Sequence, residues 1–149
     1  GRVPDGRRCT SSLTIELKGP IPVELRPKIG NRVFGCDDCQ IVCPWNRFAR
    51  PTEQADFQPR HSLDNAELAT LFRWTEDEFL SRTEGSPLRR TGYQSWLRNL
   101  AVGLGNAPSS IPVLEALQAR RDDPWEPVGE QVQWALSQHA ERGARQTDQ

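Results

Sequence analysis

The sequence predicts a mainly α-helical chain in two parts: a short cysteine-bearing segment of small helices and loops, then a longer region of amphipathic helices. Three observations carry that expectation. Apolar residues recur at three- and four-residue spacing through most of the second part, the period of a helix with a buried face. All four cysteines (Cys9, Cys36, Cys39 and Cys43) fall in the first fifty residues. Charge divides at the same place. Residues 1–50 carry nine Lys/Arg and five Asp/Glu, a net of +4, and the remainder carries ten and fifteen, a net of −5, in agreement with the overall −1. The basic part is the better match for an anionic partner such as a nucleic-acid backbone.

These shifts divide the chain into residues 1–50, a linker over 51–63, a helical region over 64–142 and a frayed polar tail over 143–149. Ser11 to Lys18 reads as a short helix capped by Thr10 or Ser11, although β-branched Thr14 and Ile15 weaken it. Pro22 to Ile29 reads as a second, stopped by Gly30-Asn31. Trp45 to Arg60 reads as a connecting loop. In the acidic remainder, Asp64 with Glu67 and Thr75 with Glu78 have capping-box spacing and open helices near 65–72 and 76–82. Ser86-Pro87 opens a stretch in which Tyr93, Trp96, Leu97, Leu100, Ala101 and Leu104 share a face until Gly105. Ser110 starts a helix with Leu114 and Leu117; Asp123-Pro124 starts another with Val128, Val132, Ala135 and Leu136. The last two, joined by a short turn, match the unit of a HEAT-type repeat, so the region is expected to be HEAT-like. The tryptophans are expected in the core, and His61 and His139 at the surface.

No run of eighteen apolar residues is present, which excludes a transmembrane helix, and residues 1–20 lack the apolar core of a signal peptide. The chain has no Met and begins at Gly1, and is therefore expected to be a processed, truncated or excised piece.

The cysteines read Cys9-x26-Cys36-x2-Cys39-x3-Cys43-Pro44. The ending matches the last part of the bacterial ferredoxin run, whose final Cys ligates the other of two clusters. A cubane cluster needs thiolates converging on one centre, and a short cysteine loop supplies two of them with backbone N–H groups turned toward the sulfurs. Cys9 has to return over twenty-six intervening residues. A four-cysteine zinc site, two disulfides and free structural thiols compete with this reading. Zinc ribbons favour two separated knuckles, and Cys9 has no such partner.

The stretch RRCTSSLTIELKGPIPVELRPKIGNRVFGCDDCQIVCPWNRFA over residues 7–49 resembles the second iron–sulfur segment of the epoxyqueuosine reductase family. A weaker resemblance continues through Ser86–Asn106 into the HEAT-like helices. The resemblance implies a ferredoxin-like [4Fe–4S] segment ahead of the helices, in a cytoplasmic, cobalamin-dependent enzyme. That enzyme carries two [4Fe–4S] clusters, is monomeric at full length, and reduces epoxyqueuosine to queuosine at the anticodon of tRNA, the last step of queuosine biosynthesis. It implies that Cys9, Cys36 and Cys39 hold the second cluster, with a fourth ligand from an earlier motif, and that Cys43 serves the first. By the same resemblance Ser11, Thr14 and the Cys36-Asp37 backbone lie against cobalamin, and Asn31 and Arg32 meet tRNA. Arg89, Arg90 and Arg98 could line one helix side toward RNA. The implied chemistry is electron relay from an external donor through the clusters to cobalamin. No catalytic residue is expected in this chain, which lacks the family's proton-donating acid and is expected to be inactive alone. Two rivals stand beside it: a general ferredoxin-type electron-transfer module, and a helical-repeat binding module stabilised by zinc.

Overall fold

The computed structural model describes residues 5–147, and the described residues contain helices, turns and loops but no strand. The mainly α expectation holds, with short turns in the cysteine segment and longer helices after it.

Ser12–Glu16 winds as a single π-helical turn, with the Leu17 N–H donating to the Ser12 carbonyl at 3.0 Å. It is shorter and wider than the helix expected over 11–18. The wider turn accommodates the β-branched pair, and the Thr14 hydroxyl donates back to the Thr10 carbonyl at 2.8 Å. Val23–Leu25 is a 3-10 turn running into helix α1 (Arg26–Ile29), which Gly30 stops at φ +64°. Helix α2 (Asp38–Ile41) is one turn long, and further 3-10 turns at Pro44–Phe48 and Ala55–Phe57 interrupt the expected loop.

Helix α3 (Leu68–Phe72) begins three residues later than its expected capping box allows. Leu63 and Ala66 pack against the core, which holds Glu67 extended, and the Asp64 carboxylate accepts from the Asn65 amide instead of capping. Helix α4 (Glu76–Arg82) forms both halves of its Thr75/Glu78 box. Ser86 caps a 3-10 turn over Pro87–Thr91; Gly92 at φ +79° then breaks the chain into helix α5 (Tyr93–Asn106). Gly105 lies within α5 and does not close it. A Cβ there would meet the Trp134 ring at 2.5 Å, so glycine lets α7 approach. Helices α6 (Ile111–Ala119) and α7 (Glu126–Thr147) complete the chain. Helix α7 runs past Gly143, where fraying is expected, and Arg142 fastens it by donating to the Gly105 carbonyl at 2.6 Å. The last two residues lie outside those described.

The main core joins α3, α4, α5, α6 and α7 around Phe72, Phe79, Leu100, Leu104, Leu117, Val128 and Val132. A second cluster joins Leu13, Ile21, Leu25 and Ile29 of the cysteine segment to Val102 of α5. Helix α5 thus has apolar partners on more than one side, as a helix buried all round requires. Asn106 donates to the Arg26 and Gly30 carbonyls at 2.9 and 3.0 Å, and buried Arg26 forms an ion pair with Glu130. Trp74 and Trp96 stack in the core, whereas Trp45 is exposed. His139 is buried, against the surface expectation. It lies one helical turn beyond Ala135 on the face that carries Val128 and Val132. One ring nitrogen lies 3.0 Å from the Leu104 carbonyl and the other 2.8 Å from the Ser109 hydroxyl. Burial lowers its pKa.

Candidate metal centre

All four cysteines are free thiols. Cys9 is exposed at the end of the 3-10 turn Gly6–Arg8. Cys36 is half-buried in the loop before α2, Cys39 is exposed within α2, and half-buried Cys43 precedes the Pro44–Phe48 turn. The two ends of the cysteine segment are tied together through Thr14. Its hydroxyl donates to Thr10, beside Cys9, and accepts at 3.0 Å from the backbone N–H of Gly35, beside Cys36. Gly35 sits at φ +73°, which lets the chain turn sharply into Cys36.

A depression of about 280 Å³ lies over the Cys36 loop, lined by Arg32, Phe34, Cys36, Asp37, Asp38 and Ile41. Arg32 reaches the two Asp38 oxygens at 2.8 and 3.0 Å. That guanidinium, then Cys36, holds the Asp38 carboxyl below the usual carboxylate range, and Asp38 raises Arg32. Asp38 is exposed and Arg32 half-buried at the surface, so the pair screens readily in salt. The sequence-predicted residues Arg32, Cys36 and Asp37 therefore meet at one place. Ser11 is half-buried at the head of the π turn with no capping bond, and Asn31 is exposed next to Arg32.

Arg98 departs from its expected place. It is fully buried and faces the cysteine segment, so it cannot line an RNA-facing side. The guanidinium donates to the carbonyls of Leu13, Leu17 and Gly19 at 2.8, 2.6 and 2.7 Å. Next to it, buried Asn99 donates to the carbonyls of Thr14 and Val33 at 2.7 and 2.8 Å. Sequence reasoning placed Arg98 on the wrong side and missed Asn99. The available signal was that apolar side chains surround α5, leaving no wet face for them. Arg90 is exposed and pairs with Glu16 at 2.5 Å.

The donor set suits an iron–sulfur group in kind, because such clusters take soft thiolates. It is incomplete in number: two cubanes take about eight thiolates, and this sequence supplies four. Among the described residues, no three Cys, His, Asp or Glu side chains converge as a ready metal cage.

Comparison with known proteins supports the iron–sulfur reading of this segment. Residues 1–46 match the family model of a 4Fe-4S double cluster binding domain. The chain is 79% identical over 137 residues to the epoxyqueuosine reductase of Pseudomonas aeruginosa, covering 92% of this chain and 38% of that protein. The segment is homologous to part of epoxyqueuosine reductase. It is 60% identical over 135 residues to the epoxyqueuosine reductase of Xanthomonas campestris, covering 91% of this chain and 38% of that relative. A crystal structure of an epoxyqueuosine reductase with an epoxyqueuosine-modified tRNA-Tyr stem loop superposes with a TM-score of 0.80 at 29% identity, covering 89% of this chain and 35% of that one. The chain thus spans well under half the length of the epoxyqueuosine reductases it matches.

Proposed function

We propose that this chain is the cluster-bearing and helical part of an enzyme that reduces epoxyqueuosine to queuosine in tRNA. In that reading Cys9, Cys36 and Cys39 hold one [4Fe–4S] cluster with a fourth ligand from elsewhere in the protein, and Cys43 serves a second cluster. When bound, the clusters supply single electrons from an external donor and cobalamin supplies the bond chemistry at the substrate. This chain's residues do the holding. Thr14 keeps the Cys9 turn against the Cys36 loop through its hydroxyl. Ser11, Cys36 and Asp37 face cobalamin; Thr14, assigned with them by the resemblance, is fully buried with its hydroxyl and carbonyl both engaged, and so braces the segment rather than facing the cofactor. Asn31 and Arg32 meet the tRNA; Arg32 exchanges the exposed Asp38 for phosphate, a trade that costs little because surface pairs are weak. The helices support the segment and belong to a HEAT-like array. The full-length enzyme works as a cytoplasmic monomer. Among the described residues no helix is long and apolar enough to cross a membrane.

The observation that carries this reading is the 79% identity to an epoxyqueuosine reductase over 92% of the chain, cysteine segment included. The test is anaerobic reconstitution of the full-length protein with iron and sulfide. About eight irons per protein are expected, with broad thiolate-to-iron absorption and turnover of epoxyqueuosine tRNA in the presence of cobalamin and a reductant. Cys39→Ser removes one cluster and Cys43→Ser disturbs the other. The 149-residue chain alone gives no turnover. A colourless protein holding one zinc overturns the reading; iron uptake without any tRNA-dependent reaction reduces it to a plain electron carrier.

A further inference from the structure

The ligand segment contains a closure problem, and a helix outside it supplies the solution. Twenty-six residues separate Cys9 from Cys36. Holding the ends of so long a loop together costs closure entropy, which cluster binding would otherwise have to supply. One side-chain amide spans the gap. Asn99 Nδ2 gives both its hydrogens away, to Thr14, five residues after Cys9, and to Val33, three residues before Cys36. Asn99 is itself oriented by Arg98, whose Nε and Nη2 donate to Asn99 Oδ1 at 3.1 and 2.8 Å. Arg98 spends its other hydrogen bonds on Leu13, Leu17 and Gly19, along the chain that leads away from Cys9.

We infer that Asn99, held by Arg98, is a positioning residue for the iron–sulfur centre: it sets the separation of the Cys9 turn from the Cys36-x2-Cys39 loop before a cluster binds. The inference rests on the proposed assignment of Cys9, Cys36 and Cys39 to one cluster. Two physical points support it. A buried guanidinium is costly, and none of the ion pairs formed by the described residues involves Arg98; burial brings its pKa down to about 10. An apolar side chain in its place would leave the Leu13, Leu17 and Gly19 carbonyls without these donors, so Arg98 is held by the cysteine segment that it fastens and not by packing within α5 alone. The bonds of Asn99 also fall on the two chain segments whose spacing a three-cysteine site must fix, and the Thr14 hydroxyl bond to the Gly35 N–H braces the same gap.

The test uses the full-length protein, reconstituted anaerobically, with Asn99→Asp. This variant keeps shape and volume, removes the two donated hydrogens and sets a carboxylate beside the Arg98 guanidinium, so a potential shift counts only together with faster iron loss and a changed EPR signal. Three readouts are compared with wild type: the rate of iron loss to a chelator, the EPR signal of the reduced protein, and the midpoint potential of the cluster. The expected result is iron loss about tenfold faster from one cluster, with a changed EPR signal and a shifted potential, while the other cluster keeps wild-type behaviour. A control, Leu117→Ala, lowers general stability from the far side of the core and is expected to leave the EPR signal and potential unchanged. If Asn99→Asp and Leu117→Ala lose iron alike, with unaltered spectra, Asn99 is structural only and the inference falls. If Asn99→Asp does not fold, Thr14→Val decides, since it removes only the hydroxyl brace: faster iron loss with a changed signal supports positioning, and wild-type behaviour overturns it. A wild-type protein that takes up no iron sinks the assignment of the cysteines, a failure visible before any variant is made.

Discussion

Helix α5 buries eleven of its fourteen residues, whereas from Asp37 to Arg60 every side chain except that of half-buried Cys43 is exposed. Apolar content does not explain the difference. The exposed stretch carries Ile41, Val42, Trp45, Phe48 and Phe57, with Val42 78% and Trp45 77% accessible. What it lacks is a helical period long enough to align those residues, and a neighbour to bury them. Helix α5 has both, with the α3, α6 and α7 core on one side and the turns around Leu13, Ile21 and Ile29 on another. The comparison teaches that the fastened part of the cysteine segment is the part touching α5, residues 13–33. The part bearing Cys39 and Cys43 is held by its own turns and by the surface pair of Arg32 with Asp38.

The largest expected effect lies at the centre of the buried region. Leu100→Ala empties space with no solvent access and should cost about 2–5 kcal/mol of stability, read as a lower urea midpoint with an unchanged slope. A loss below about 1 kcal/mol would mean that α5 is not the keystone that its burial indicates. Gly105→Ala comes next. In an ordinary helix interior this change is stabilising, because alanine has the better propensity. Here the added methyl would lie 2.5 Å from the Trp134 ring and 3.0 Å from Ala135 of α7. Overpacking reverses the sign, with an expected loss of about 1–3 kcal/mol. A gain in melting temperature would show that α5 and α7 are not in such close contact.

The same contrast governs what could be read from sequence. Helices α4 to α7 were legible because each announces itself locally, by periodicity, a Pro near its start or a capping residue. Identical capping spacing succeeded at Thr75/Glu78 and failed at Asp64/Glu67, because Leu63 and Ala66 are drawn into the core and hold the chain extended. Tertiary packing overrode a local signal. The spacing of the cysteines was legible, and with it the iron–sulfur character of the segment. How the chain at Thr14 is held against the chain at Val33 was not, because the answer lies on Arg98 and Asn99, more than sixty residues further along the chain than Cys36. Read as a pattern, a polar pair on a helix looks wet. It becomes intelligible once Trp96, Leu97, Leu100, Ala101 and Val102 are all found buried around it. His139 was misread for the same reason: three residues after Leu136 and four after Ala135, it lies on the helix face turned toward α5.

The smallest expected effect sharpens the comparison most. Trp45 is among the largest side chains of the exposed stretch, and its ring meets Phe48 at 5.7 Å in a tilted pair, with Arg47 over the Phe48 ring at 4.7 Å. A tryptophan in a core costs about 3–5 kcal/mol when cut to alanine. Trp45 buries so little that Trp45→Ala should stay within about 0.5 kcal/mol of wild type in urea unfolding of the 149-residue chain, despite removing more atoms than Leu100→Ala. Equal losses for the two variants would show that the stretch folds back onto the helices, and that the division between a fastened and an unfastened half of the cysteine segment is wrong. Unequal losses, with Trp45→Ala silent here but destabilising in the full-length protein, would place the partner of this surface in the part of the protein that lies outside this chain.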